Sequence, residues 1–309
     1  MGPRSDIVRN IKKYWKYAFD RQSFAYSPVQ VQTSELALAA ASTIRGSRRQ
    51  PGIMIHGITK RSGTVYVGEL LALHPETCGF PNHLWEVPFL SLTQGIKNIQ
   101  NDFFFEYQQH QERMGKDDFL PIIGAAFIQY LHTLVPEHQR LLVKVPGVQY
   151  LNHYYAMFPY EFLLLLIRDG RDVVTSTIKT WPQIRFADAC RRWDRSAKMI
   201  LACHKIYNGQ ENYWLTRYED AVRDPEGFVR EAFTRLHMSV ENYPFEKITS
   251  LPVIGSSTTR KQGVDWMKKP RNFSPIGRWQ TWSPWNKFVF KRIAGQSLID
   301  LGYSQNHDW

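Results

Sequence analysis

Between His56 and Tyr66 the chain reads HGITKRSGTVY, a stretch with the residue types that hold a tetrahedral anion. Ser62, Gly63 and Thr64 offer hydroxyl and backbone N–H donors, and Lys60 and Arg61 offer positive charge. The spacing from Gly57 to Thr64 fits the phosphate-binding pattern G-x-x-x-x-G-K-[ST], but two of its places differ. Ser62 and Gly63 stand where that pattern has its glycine and lysine, and the cations have moved inside the loop. The plain alternative is an ordinary basic strand-to-helix turn.

A second group lies in LLLLIRDGRDVVTS, residues 163–176. It delivers Arg168 at the carboxyl end of an apolar strand and Ser176 eight residues later, on the first turns of a helix. In open parallel sheets ligands bind outside the carboxyl ends of the strands. Arg168 and the loop 57–64 can therefore face one crevice. The alternative is a structural salt bridge from Arg168 to Asp169 or Asp172.

The elements that must position these residues are readable as alternating strands and helices. IMIH (53–56), LLVKV (141–145), FLLLLI (162–167) and YWLTRY (213–218) read as strands. Helices are expected after the loop (TVYVGELLALH), near 148–158, from 173 to 179, and in DPEGFVREAF, with Asp224 as cap and Pro225 in the first turn. Apolar, non-alternating strands suit burial on both faces. The expected fold is α/β: a three-layer sandwich around a central, mainly parallel sheet, with a P-loop-like anion-binding loop. Residues 1–50 are expected to form a helical extension packed on a single domain at 51–309, with helices at 5–19 and 34–44. A helix-prone stretch at about 88–140 is expected as an insertion over the acceptor site.

These motifs, in this order, resemble the sulfotransferase family that uses 3′-phosphoadenosine 5′-phosphosulfate (PAPS). TKRSGTVYV is similar to its 5′-phosphosulfate loop, IRDGRDVVTS to its 3′-phosphate motif, and TRYEDAVRDPEGFVREAF to its Y-E-D segment. PIGRWQTW resembles the C-terminal G-D-W-K region, with Arg278 and Gln280 in place of its Asp and Lys. The resemblance implies PAPS as donor and no metal. It implies that Lys60, Arg61, Ser62, Gly63 and Thr64 hold the phosphosulfate, with Arg61 neutralising charge on the bridging oxygen. It places Tyr66 and Tyr218 near adenine and Arg168 and Ser176 at the 3′-phosphate. Gly277 and Arg278 are the preferred C-terminal grip, with Arg260, Lys261 and Arg271 as other candidates.

Sulfuryl transfer to an alcohol needs a base. The cytosolic members use the histidine of K-T-H-L-P; here the segment is VKVPGVQ, with Pro146 at that place. Branches acting on tyrosyl residues and glucosamine units use a glutamate downstream of the loop helix. By that likeness Glu86, in WEVPF, is the expected base, with His83 the second candidate and Glu69 a weaker one. Lys144 matches a lysine that would stabilise developing charge near the leaving group. The acceptor is expected to be a small molecule or carbohydrate, lined by Phe89, Phe103, Phe104, Phe105, Tyr107, Tyr154 and Trp181.

Composition bounds the rest. The 309 residues are 43% hydrophobic, enough for a substantial core, and the formal charge of +11 favours an anionic partner. Three cysteines without C-x-x-C or zinc spacing read as reduced thiols, and the charged N-terminal stretch lacks the apolar run of a leader. A cytoplasmic location, no membrane span and no nucleic-acid partner are the expectations. Two rivals remain: a kinase or nucleoside triphosphatase with a degenerate loop, and a nonenzymatic polyanion-binding protein.

Overall fold

The computed structural model describes residues 31–79, 84, 86–251 and 274–309, with backbone alone at 258–260 and 263–265. The helix expected at 5–19 lies outside the described residues, as do His83, Lys261 and Arg271; Arg260 is described in its backbone only.

In chain order the elements are α1 (Glu35–Arg45), β1 (Ile53–Gly57), α2 (Thr64–Ala72), β2 (Thr77–Gly79), α3 (Thr93–Glu106), α4 (Phe119–His132), β3 (Arg140–Val145) and α5 (Tyr154–Met157). After these come β4 (Phe162–Ile167), α6 (Gly170–Thr180), α7 (Phe186–Tyr207), β5 (Tyr213–Arg217), α8 (Tyr218–Arg223) and α9 (Pro225–Arg235). A short hairpin, β6 (Thr258–Arg260) with β7 (Gly263–Asp265), and α10 (Pro284–Asp300) complete the set.

The main sheet has the order β2-β3-β1-β4-β5 and every pairing in it is parallel. The chain leaves β1 in one direction to build β2 and β3, then crosses to build β4 and β5 on the other side. Beside β1 the strand order therefore reverses, which opens a crevice at the carboxyl ends of β3, β1 and β4.

Each face of the sheet is covered, and the strand sequences show why. In β4 every residue is buried: Leu163 and Leu165 join a cluster with α4, α7 and α10, whereas Phe162, Leu164 and Leu166 join one with α2 and α9. In β1, Met54 faces the first cluster and Ile53 and Ile55 the second. Fully burying such side chains stabilises by about 1.5–3 kcal/mol each, so an unbroken apolar run is what a two-sided strand requires. The result is the three-layer α/β sandwich read from the sequence.

The helices begin where short polar side chains permit. Ser34 caps α1 by accepting from the Ala37 N–H, and Asp224 caps α9 by accepting from the Gly227 N–H, with Pro225 in its first turn. Helix α1 lies on α4, where Asp118 accepts from both the N–H and the hydroxyl of Ser34. Three local expectations are corrected. The helix near 148–158 is a 3₁₀ turn at Leu151–His153 followed by the single turn α5, because Tyr150 sits in the left-handed region at φ 56°. The fourth strand stops at Arg217, and Tyr218 opens α8 instead. Helix 173–179 starts earlier, at Gly170, where Asp169 caps it by accepting from the Arg171 N–H.

Candidate active site

The loop after β1 is held in shape by its own groups. The Ser62 hydroxyl donates to the Thr59 carbonyl at 2.7 Å, and the Ile58 N–H donates to Leu166 of the neighbouring strand at 2.9 Å. Arg61 has φ 76°, unusual for a residue with a side chain, and Gly63 has φ 93°. A Cβ on Gly63 would overlap the Tyr218 ring, so only glycine allows this approach. Gly63 is the N-cap of α2 with no side-chain cap, which leaves the helix's first N–H groups aimed into the loop. Such a terminus favours an anion.

The loop meets the second motif directly. The Arg61 Nε donates to the Ser176 hydroxyl of α6 at 3.1 Å. Arg168, buried at the end of β4, donates through Nη1 to the Arg61 carbonyl and through Nη2 to the Pro275 carbonyl, each at 2.7 Å. Its guanidinium carbon lies 4.4 Å from the centre of the Tyr218 ring, and its buried Nε has no hydrogen-bond partner. Tyr66 and Tyr218 meet edge-on at 6.3 Å, both buried; burial first, then Tyr218, pushes the Tyr66 phenol up to about 12.

Asp169 and Asp172 do not pair with Arg168. Asp169 forms an ion pair with Arg171 at 2.7 Å, under the indoles of Trp279 and Trp309. Asp172 is fully buried and accepts the backbone N–H groups of Gly277, Arg278 and Trp279 at 2.8, 2.7 and 3.3 Å. Burial raises its carboxyl, and these hydrogen bonds together with Arg168 oppose the rise. The carboxylate thus fastens the C-terminal segment against α6 and brings Arg278 beside Arg168. Burial, and then the Arg168 cation, lower the Arg278 guanidinium. Two cations held this close create a field suited to an anion.

Asp172 and Glu219 are structural members of the site that motif reading passes over. Glu219 is buried at the start of α8, accepts the Asp169 N–H at 3.0 Å and accepts the Tyr303 hydroxyl at 3.0 Å. What sets both apart is burial: a buried carboxylate needs several donors, and each of these two finds them in the structure.

On the other side of the loop Lys144, buried at the end of β3, pairs with half-exposed Glu86 at 3.5 Å. Burial lowers the Lys144 ammonium and Glu86 opposes that shift. The Glu69 carboxyl of α2 is pushed up to about 7 by burial, against the pull of Lys144, and its Oε2 is buried without a hydrogen-bond partner. Lys60 is exposed, with its ammonium 5.9 Å from the Trp181 ring. Glu86 and Lys60 open onto a cavity of about 280 Å³, which also touches Thr59, Pro146 and Trp181.

The expected aromatic lining is corrected. Of its seven residues Trp181 lines this cavity; Tyr154 and Phe104 are core residues, and Phe89 stacks on Phe127 at 4.1 Å. Phe103 packs among Phe104, Tyr107, His110 and Phe119, while Phe105 is 75% exposed. Helices α3 and α4 pack Phe103 and Phe104 against Phe119 and their neighbours, away from the strand ends. No group of His, Cys, Asp or Glu that could hold a metal occurs among the described residues, and no helix there is long and apolar enough to cross a membrane.

A parallel α/β sheet with an anion-binding loop at its switch point, clamped by a strand-end arginine, is a site built for a phosphate-bearing ligand. The chain belongs to the sulfotransferase family, whose model matches residues 51–242. It is similar to "Protein-tyrosine sulfotransferase A" of Caenorhabditis elegans, 24% identical over 84% of this chain and 69% of that protein. It is also similar to "Protein-tyrosine sulfotransferase 2" of Gallus gallus, 23% identical over 88% of this chain and 75% of that protein. Among solved structures, the sulfotransferase domain of the Synechococcus PCC 7002 olefin synthase gives a TM-score of 0.47 at 18% identity, covering 82% of this chain and 96% of that one. Mouse sulfotransferase SULT7A1, complexed with PAP, gives 0.46 at 12% identity, covering 86% and 90%.

The cytoplasmic expectation, drawn from the cysteines and the charged N-terminal stretch, is corrected here: relatives that the chain resembles are protein-tyrosine sulfotransferases, which do not support it. Three thiols and a charged N-terminal stretch are compositional features and do not fix a compartment.

Proposed function

We propose that this sulfotransferase uses PAPS and passes its sulfuryl group to a hydroxyl of a small acceptor, with Glu86 as base. The observation that carries this reading is the meeting of Arg61, Ser176 and Arg168, contributed by two motifs more than a hundred residues apart, at one end of the parallel strands. The residues fit such a donor: the open N-terminus of α2 and the Arg61 side chain suit a phosphosulfate, and Arg168 with its unpartnered Nε, Ser176 and Arg278 suit a second phosphate. The two cations at that second position favour a nucleotide carrying a 3′-phosphate over ATP. Tyr66 and Tyr218 would flank the base.

When bound, the donor supplies a sulfuryl group whose bond to a phosphate oxygen breaks as the acceptor oxygen bonds to sulfur. Glu86 takes the acceptor's proton, and its exposure to the cavity suits that role. Lys144 holds Glu86 in place and offers a buried cation toward the loop, where negative charge grows on the leaving oxygen. Lys60 guards the cavity mouth. A cavity of about 280 Å³ favours a small acceptor. The relatives' names support a tyrosyl residue as the second acceptor class.

The test is thermal stabilisation by 3′,5′-adenosine bisphosphate (PAP), ADP and ATP, with and without magnesium, in wild type and Arg168→Lys. A ligand that binds only the native state raises stability according to its affinity. Selective stabilisation by PAP, weakened in the variant, is expected. Equal or greater stabilisation by ATP with magnesium would overturn the donor assignment in favour of a kinase.

A further inference from the structure

Helix α10 begins with two exposed rings. Trp285 is 68% exposed and Phe288 52%, and they stack on each other at 5.6 Å. Tryptophan is on average a well-buried residue, and the other exposed rings, Phe105, Tyr107 and Tyr130, do not stack on one another among the described residues. Three residues apart on a helix, Trp285 and Phe288 share one face, which the exposed side chains of Arg292 and Gln296 continue. The opposite face carries Phe290, Ala294 and Leu298 into the core, so α10 is fixed in this orientation.

Lys287 and Lys291 flank the exposed face, with their ammonium groups 5.6 and 5.0 Å from the Trp279 and Trp309 rings. Among the described residues neither of them, nor Arg292, has a salt bridge. A helix start favours acidic side chains, and α10 has none in its first turn. The carboxylates nearest in sequence stand apart from the rings. Asp300 lies about 22 Å along the helix from Trp285 and accepts from the Gln296 amide, and Asp308 neighbours Trp309. Trp282 joins this region to the start of α7 through Phe186 at 4.9 Å. There Asp188 is shared by Arg185 and Arg191, so cations again outnumber acids.

Cations alone would suit any polyanion; the rings narrow the choice. A bilayer interface takes the apolar body of a tryptophan or phenylalanine among its acyl chains, while anionic headgroups meet the charges around it. Binding to such a surface grows with both the apolar area inserted and the attraction to anionic lipid.

We infer that the start of α10 is a docking face for an anionic phospholipid bilayer: Trp285 and Phe288 enter the interface, and Lys287, Lys291 and Arg292 meet the headgroups. The chain lies on that surface and α10 does not span it. The face borders the cavity wall where Trp282 packs on Phe186, two residues after Ile184.

The experiment is co-sedimentation of the full chain with phosphatidylcholine vesicles, with and without about 30% phosphatidylserine, at about 0.1 M and about 0.5 M salt. Wild type is expected to sediment with the serine-containing vesicles at low salt, and far less at high salt or without the anionic lipid. Trp285→Ala/Phe288→Ala should lower the partition coefficient by about tenfold or more, and Lys287→Gln/Arg292→Gln by about fivefold for each cation. Tm is recorded for each variant and should be unchanged, since these side chains lie at the surface. Heparin binding and mass by light scattering are read on the same samples. Wild type left in the supernatant with anionic vesicles would overturn the inference, as would a ring variant of unchanged Tm that sediments as fully as wild type. The cation variant gives a second, independent reading: unchanged partitioning there refutes the electrostatic half of the docking. Heparin binding without vesicle binding would assign the face to a soluble polyanion. A dimer that dissociates in the ring variant, again without vesicle binding, would assign it to a second copy; either result excludes lipid docking.

Discussion

Replacing Asp172 tests the structure of the proposed donor site most directly. Its carboxylate accepts two short backbone hydrogen bonds, from Gly277 and Arg278, and a longer one from Trp279. Asp172→Ala leaves those donors facing a fully buried site. An unsatisfied buried donor costs about 1–3 kcal/mol, and the 3.3 Å bond counts for less than the other two. Against this, the carboxylate's own burial is unfavourable, as its raised pKa records, and removing it returns part of the cost. The net expectation is a loss of about 2–4 kcal/mol. At roughly 2 °C per kcal/mol for a chain of this size, that lowers Tm by about 4–8 °C. Because the same bonds set Arg278 beside Arg168, PAP affinity measured by calorimetry should weaken by about tenfold, equivalent to about 1.4 kcal/mol. Asp172→Asn keeps one acceptor oxygen but turns an N–H₂ toward the remaining donors, so it should fall between wild type and alanine. An alanine variant with unchanged Tm and unchanged PAP affinity would refute the reasoning. It would mean that the buried charge costs as much as its hydrogen bonds return.

Three further outcomes follow from other parts of the molecule. Burial lowers His56, His132 and His153 to about 4, so the unfolded chain binds more protons than the native one between that value and the ordinary 6.5. Stability therefore rises with pH through this window and is lost on acidification, by about 2 kcal/mol at pH 5 for His56. His56→Asn, whose amide can still donate to the Gly147 carbonyl, should flatten that part of a urea-unfolding series run from pH 4.5 to 7.5. Glu86→Gln should lower kcat by about 10²–10⁴ and Lys144→Met by about 10²–10³, each with the PAP-induced rise in Tm retained; loss of that rise would move the residue from catalysis to donor binding. Cys190 and Cys203 are buried, with thiols pushed up to about 12 by that burial, so a thiol reagent should modify native protein at Cys78 alone, as read by peptide mass mapping.

The sheet was legible where burial on both faces forces apolar runs, as in Ile53–Gly57 and Phe162–Ile167. Strand β2 was not, because Thr77–Gly79 is too short to carry a pattern and forms by pairing with β3. Helix α7 has the helical period in Ala189, Trp193, Ala197 and Ile200, but no chemical motif draws attention to it. That helix brings Arg192 and Arg195 to the cavity, so the cavity side was the less readable half of the site. The positions of the donor-loop residues and of Arg168 followed from strand ends, which sequence marks well. The direction of aromatic side chains did not: Phe103, Phe104 and Tyr107 pack among their neighbours, a choice that depends on tertiary contacts.

The clasp at Asp172 also bears on how a motif can drift. It grips three main-chain N–H groups, and main-chain groups are supplied by any residue except proline. Side chains at 278 and 280 are thereby released from the task of anchorage, while Gly277, at φ 80°, remains tied to its backbone shape. An arginine and a glutamine can then stand where the family pattern has an aspartate and a lysine, and the segment still docks. The lettering of this region can change while its address in the fold is kept by an acid a hundred residues upstream.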